Sequence, residues 1–117
     1  MRLSLIAVAA LAVLVGCGGD DVSSRDRARS DRLTGYFRDT GQADQWSIAS
    51  VEVHGGDVTI KTKLAPKSAN VDSFEAPCTT LVGSYAWVES IRIEGADNKA
   101  HVSWTKDSAG CEIEDLD

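Results

Sequence analysis

The alternation of apolar and polar residues on either side of Gly55-Gly56 restricts the fold of this chain more than any other feature of its sequence. The apolar positions nearest to the two glycines are Val51, Val53, Val58 and Ile60. A two-residue turn at the glycines pairs Val53 with Val58 and the next apolar residues with each other, which brings all four side chains to one face. Because a single register satisfies both strands, we predict a β-hairpin here.

A helix and a second hairpin are predicted after the first hairpin. Apolar side chains recur at helical spacing, at Val71, Phe74, Cys78, Leu81, Val82 and Tyr85. Pro77 lies within this stretch. Proline is unfavourable inside a helix that begins near Val71 but favourable at the first position of a helix that begins at Pro77, so both starting points stay open. Residues 87–94 and 100–105 then alternate around a turn at residues 95–98.

A charged helix is predicted for residues 25–39. Ser23 or Ser24 is the candidate N-cap, and Gly41 is expected to end the helix. The apolar side chains of this segment are Ala28, Leu33, Tyr36 and Phe37. Five arginines in residues 17–39 would suit a helix lying on a membrane, but five aspartates balance them, which favours a solvated face.

The order helix, hairpin, helix, hairpin predicts an α+β fold. We expect an antiparallel sheet of about four strands, formed by the two hairpins, with two helices packed on one face. A chain of 117 residues is within the usual size of one domain, so residues 25–117 are expected to form a single small domain.

The N-terminal segment has the composition of an export signal. Met1-Arg2 supplies a positive charge, and the thirteen residues 3–15 are apolar apart from one serine. This run is shorter than the ~20 residues that a membrane-spanning helix needs, so we expect residues 1–16 to be a signal peptide that is removed. Residues 17–24 are polar and contain glycine, and they are predicted to form a flexible tether.

The end of the apolar run, Leu14-Val15-Gly16-Cys17, resembles the lipobox of bacterial lipoproteins. The resemblance implies that the Cys17 thiol receives a diacylglyceryl group and that the signal peptidase for lipoproteins cuts just before it. An ordinary secretory leader followed by a structural cysteine is the alternative. Lipidation would hold the protein on a bacterial cell membrane, facing the extracytoplasmic side. Whether this is the inner or the outer membrane of a Gram-negative envelope stays open, since Gly18 follows the cysteine.

The other two cysteines form an even pair once Cys17 is assigned to lipid. A small exported domain commonly needs a covalent crosslink, so we predict a disulfide between Cys78 and Cys111. Such a bridge would stabilise the fold by roughly 3–4 kcal/mol. Two buried free thiols are the alternative.

The strand–glycine–strand segment 51–60, the helix after it and the strand 88–93 are similar to BON domains of bacterial envelopes. This resemblance implies contact with phospholipid. The chain differs from those domains in its cysteine pair, its further strand and its acidity. The same region is similar to small uncharacterised lipoproteins of actinobacteria, a resemblance that implies no activity.

The charge of the chain excludes one class of partner. Without the leader residue Arg2, eleven basic and eighteen acidic residues remain, which is a net charge of −7 with neutral histidines. An acidic domain repels nucleic acid and anionic lipid headgroups, and we expect no nucleic-acid partner.

Signals for chemistry are weak. His54 and His101 are the only histidines, and each lies close to carboxylates in sequence, so a small metal-dependent hydrolase could use them. Two ligands are too few for such a site, and both histidines are predicted to be exposed on the polar face of the sheet. The sequence has no HExxH, GxSxG or phosphate-binding glycine motif, and we assign no catalytic residue, no metal ligand and no cofactor.

Two further groups could bind ligands. Trp46, Trp87 and Trp104 could form the floor of a groove for a sugar or a peptide, or they could be core and rim residues. The acidic segment 112–117 could bind divalent cations weakly, or it could be a solvated tail.

The sequence thus predicts a lipid-anchored, extracytoplasmic, non-enzymatic domain that contacts an envelope protein or ligand. The two alternatives are a small surface metal-dependent hydrolase using His54 and His101, and a BON-like module that contacts phospholipid.

Overall fold

The computed structural model describes residues 23–114, 116 and 117. Its elements in chain order are α1 (Ser24–Asp39), α2 (Gln42–Gln45), β1 (Ile48–His54), β2 (Asp57–Thr62), a 3-10 turn (Ser68–Asn70), α3 (Val71–Leu81), β3 (Ser90–Glu94), β4 (Ala100–Thr105) and β5 (Glu112–Ile113). The α+β class is confirmed. The predicted signal peptide, Cys17 and the tether up to residue 22 lie outside the described residues. No helix from residue 23 onward in the described ranges is both long and apolar enough to cross a membrane.

The first hairpin has the predicted register. Val53 pairs with Val58 and Val51 pairs with Ile60, with β1 and β2 antiparallel. The turn begins at Gly55, whose φ of +64° is a conformation that side chains with a Cβ disfavour. All four apolar residues are buried, so alternation about the glycines correctly identified the core face.

The sheet is mixed and has five strands in the order β1-β2-β3-β4-β5, which corrects the predicted antiparallel sheet of about four strands. Strands β2 and β3 are parallel, with Val58 opposite Ile91 and Ile60 opposite Ile93. The reason is that α3 connects them, and a helical crossover returns the chain so that the next strand runs in the same direction. The fifth strand pairs Ile113 with Val102.

Helix α1 begins one residue earlier than predicted. The Ser23 hydroxyl accepts a hydrogen bond of 3.0 Å from the backbone N–H of Asp26, which identifies Ser23 as the N-cap. Leu33 and Phe37 are fully buried, whereas Ala28 and Tyr36 are exposed, so the buried stripe of α1 is narrower than predicted.

Helix α3 begins at Val71 and ends at Leu81, so Pro77 lies inside the helix. Val82 has an extended backbone, and Gly83 has a φ of +86°. Tyr85 therefore lies beyond the helix, although its spacing suggested that the apolar stripe continued to it. The helix ends because Val82 is extended, and Val82 and Gly83 form a type II turn in which the Ser84 N–H donates to the Leu81 oxygen at 3.1 Å.

The short α2 is a third helix that the prediction of two did not include, and helices α1 and α3 pack against the sheet. One buried cluster joins them to the sheet: Leu33, Phe37, Val51, Val53, Val58, Ile60, Phe74, Cys78, Leu81, Val88, Ile91, Ile93 and Val102. The opposite face is polar. One row across all five strands consists of Glu52, Thr59, Arg92, Ser103 and Glu112.

Candidate functional site

A disulfide joins Cys78 and Cys111, as predicted, with their Cα atoms 6.3 Å apart. Cys78 is fully buried on α3, and Cys111 comes directly before β5. The bridge therefore attaches a strand of only two residues to the core helix. Its position explains how so short an edge strand is held in the sheet.

His101 is buried, with 3% of its surface exposed, and the prediction that it lies on the exposed polar face is wrong. The physical reason is a β-bulge. Ile93 pairs with Val102 but the next residue, Glu94, pairs with Ala100, which leaves His101 as the extra residue of β4. A bulge changes the direction of a side chain within a strand, and here it turns the imidazole towards the helical layer.

Both nitrogens of the His101 ring have partners. Nδ1 lies 3.2 Å from the backbone oxygen of Glu114, and Nε2 lies 2.9 Å and 3.0 Å from the two carboxylate oxygens of Asp97. Both partners are acceptors, so each nitrogen donates when both bonds are formed. The ring also meets Phe74 edge-on, with centroids 5.4 Å apart. His101 thus connects three parts of the domain: the turn at residues 95–98, the segment that follows β5, and helix α3.

The surroundings of Asp97 act on its pKa in opposite directions. Desolvation raises the pKa of this carboxyl group, but the hydrogen bond and charge of His101, together with hydrogen bonds from the Lys99 and Asp97 backbone N–H groups, outweigh it. The pKa of Asp97 is therefore below its ordinary value. Its ionised form is favoured by the fold, which strengthens its bond to the imidazole.

The two histidines do not form a common site. His54 is exposed and pairs with Asp57 beside the first turn, on the edge strand β1. His101 lies near the other end of the strands, on β4 and on the helical side of the sheet. Across the ranges 23–114 and 116–117, no three His, Cys, Asp or Glu side chains are arranged to hold a metal ion.

The three tryptophans are half-buried in three separate places. Trp46 meets Phe37 edge-on at 6.1 Å, and Trp104 pairs with Ile91 in the sheet. The ring centroids of Trp87 and Tyr85 are 5.8 Å apart, and the guanidinium carbon of Arg29 lies 4.3 Å from the centroid of the Trp87 ring. Among the described residues no ring pair joins two of the three tryptophans, and this part of the chain encloses no pocket.

Trp87 belongs to an end of the domain that the sequence analysis did not single out. The backbone N–H of Gly55 donates to Asp26 Oδ1 at 3.0 Å, and Arg29 Nη1 donates to the Gly55 oxygen at 3.2 Å. A Cβ added to Gly56 would lie 2.9 Å from the Trp87 oxygen and 2.6 Å from Cγ of Glu89. The start of α1, the first turn and the chain before β3 are thus in direct contact.

A signal for this end was present in the sequence. Residues 76–88 contain no charged side chain over thirteen positions, in a chain of which 26% of residues are charged. The run includes Tyr85 and Trp87, which were instead assigned to a helical stripe and a strand.

The chain matches no known family model, no curated protein and no solved structure.

Proposed function

We propose that this chain is a lipid-anchored, extracytoplasmic, non-enzymatic domain that contacts an envelope protein or ligand. The observation that carries the proposal is the Leu14-Val15-Gly16-Cys17 sequence at the end of a thirteen-residue apolar run. A diacylated cysteine gives stable membrane attachment, where a single acyl chain is marginal.

The state of the other two cysteines supports this assignment. Cys78 and Cys111 are bridged, which leaves Cys17 as the remaining cysteine of the three in the sequence. Disulfides persist mainly in oxidising compartments, such as the outside of the bacterial plasma membrane. An exported chain with one unpaired cysteine beside its leader is the pattern that lipidation accounts for.

The engagement of the reactive side chains supports binding rather than catalysis. Both ring nitrogens of His101 face acceptors of the fold, the Glu114 backbone oxygen and the Asp97 carboxylate, so neither is directed at an open coordination site. His54 lies on another strand and near the opposite end of the sheet. A hydrolase that used both histidines would need them to converge.

The test is the location and the N-terminal mass of the expressed protein. We expect the wild-type chain to sediment with membranes, to be released by detergent, and to carry a diacylglyceryl group on Cys17. The Cys17→Ser variant should lack the lipid and leave the membrane fraction or retain its leader. The matched control is the double variant Cys78→Ser/Cys111→Ser, which should keep the lipid. An unmodified Cys17 thiol in the wild-type protein would contradict the proposal.

Contact with an envelope protein is tested by crosslinking the anchored wild-type protein in intact cells. A partner recovered with wild-type protein, and lost with the released Cys17→Ser form, is the expected result. Turnover of a substrate by the purified domain, abolished by His101→Ala but not by His54→Ala, would instead indicate an enzyme.

A further inference from the structure

One end of the domain combines the start of α1 with an aromatic surface. We call residues 82–87 the aromatic loop. Arg29, in the second turn of α1, bonds the Gly55 oxygen at 3.2 Å and stacks over Trp87 at 4.3 Å. Asp26, in the first turn, accepts from the Gly55 N–H at 3.0 Å. The aromatic loop is therefore fixed to the same end of the domain as the point where the described chain begins.

The aromatic loop has the chemistry of a surface that contacts the bilayer interface. None of its residues is charged, and Tyr85 and Trp87 are both half-buried against the core, with ring centroids 5.8 Å apart, so part of each ring reaches the surface. Gly83, Ser84 and Ala86 between and beside them are exposed. Tyrosine and tryptophan accumulate at membrane–water interfaces because their rings are apolar and each carries one polar group. A net negative charge is repelled by anionic headgroups but not by zwitterionic ones, so we expect this contact on a zwitterionic phospholipid surface.

The length of the chain before Ser23 limits how the domain can lie on a membrane. Only five residues separate Cys17 from Ser23, and even a fully extended chain spans at most about 3.6 Å per residue, or about 20 Å in all. Helix α1, with 16 residues at 1.5 Å each, is about 24 Å long. A lipid on Cys17 thus keeps the start of α1 within about 20 Å of the bilayer. Phe37 and Trp46 lie towards the other end of the helix.

We propose that the aromatic loop, with Arg29, is the surface on which the anchored domain rests, with Tyr85 and Trp87 in the headgroup region of the phospholipid bilayer. This inference rests on the proposed lipidation of Cys17. It assigns an orientation to the domain. The hairpin turn at Gly55-Gly56 and the start of α1 face the membrane, and the polar row centred on Arg92 is accessible to a protein partner.

The experiment uses the lipidated protein, first verified by intact mass, reconstituted into phosphatidylcholine vesicles that contain brominated acyl chains. One variant, Trp46→Phe/Trp104→Phe, retains Trp87, and a matched variant, Trp87→Phe/Trp104→Phe, retains Trp46. We expect bromine to quench Trp87 at least about twofold more than Trp46, because only an interfacial indole comes close to the acyl chains. Equal quenching of the two, or none, would overturn the inference.

Hydrogen exchange on the wild-type protein provides a second measurement that does not depend on tryptophan replacement. Exchange at residues 82–87 should be slower in the vesicle-bound lipidated protein than in a Cys17→Ser form that lacks residues 1–16, in the same vesicle suspension. Protection of the aromatic loop that appears only after addition of an envelope protein would overturn the bilayer contact and indicate a protein partner. The intact-mass measurement detects a protein that lacks the lipid. An error in the proposed lipidation is therefore distinguishable from an error in the proposed orientation.

Discussion

The Ser30 hydroxyl accepts a hydrogen bond of 3.0 Å from the backbone N–H of Val53, so helix α1 occupies the open edge of strand β1. Two residues after Val53, the backbone N–H of Gly55 donates to Asp26, also at 3.0 Å. Edge strands with unpaired N–H groups are templates for pairing with other chains, and proteins commonly cover them. Helix α1 therefore stabilises the domain in two ways: it satisfies N–H groups at the edge of β1, and it buries Leu33 and Phe37 in the core.

Removal of these two acceptors should weaken the edge. We expect Asp26→Ala/Ser30→Ala to lower the free energy of unfolding by about 1–3 kcal/mol for each N–H left without a partner, measured by urea denaturation. The uncovered edge should also increase self-association, measured by analytical ultracentrifugation. Asp31→Ala, an exposed aspartate on the same helix, is the matched control and should change neither quantity. Unchanged stability and association in the double variant would show that water replaces both acceptors without cost.

Loss of the disulfide should destabilise the domain. Replacing both cysteines, Cys78→Ser/Cys111→Ser, removes a crosslink across a sequence separation of 33 residues. The chain-entropy relation then gives a loss of about 3–4 kcal/mol. Urea denaturation measures it, and the reduced wild-type protein should match the double variant. A reduced protein as stable as the oxidised one would contradict the entropic account.

Acid should destabilise the fold through Asp97. Because the folded state lowers the pKa of Asp97 below its ordinary value of 3.8, its stabilising contribution is fully present above that value and is lost as the pH falls through the folded-state pKa. We therefore expect Asp97→Asn to reduce the melting temperature at neutral pH and to flatten its decline in acid. Exposed Asp107→Asn is the control. An acid profile unchanged by Asp97→Asn would remove the His101–Asp97 pair as a contributor.

A methyl group at Gly56 should disturb the end that carries the aromatic loop. The added Cβ would lie 2.9 Å from the backbone oxygen of Trp87, and backbone atoms cannot move aside as a flexible side chain can. We expect Gly56→Ala to lower the free energy of unfolding by about 1–3 kcal/mol, as overpacking commonly does. Gly110→Ala is the matched control, since its Cβ would meet nothing within 4 Å. Equal melting temperatures for the two variants would contradict the close approach.

Sequence patterns with a local cause predicted their parts of the fold. The register of Val53 with Val58 follows from a two-residue turn and the period of two along a strand, so it was readable without knowledge of the rest of the chain. The N-cap was narrowed to Ser23 or Ser24 for the same reason, because capping involves residues within one turn of each other, and the structure selects Ser23. The Cys78–Cys111 pair followed from counting, once Cys17 was assigned to lipid.

The tertiary structure decided what depends on distant segments. The parallel pairing of β2 with β3 results from where α3 packs, and no periodicity in either strand encodes a neighbour. The burial of His101 results from one extra residue in β4, which reverses the face that alternation predicts for it. Likewise, Arg29 meets Trp87 across 58 positions of sequence, and only the packed domain reveals that an uncharged loop and the start of α1 share one end.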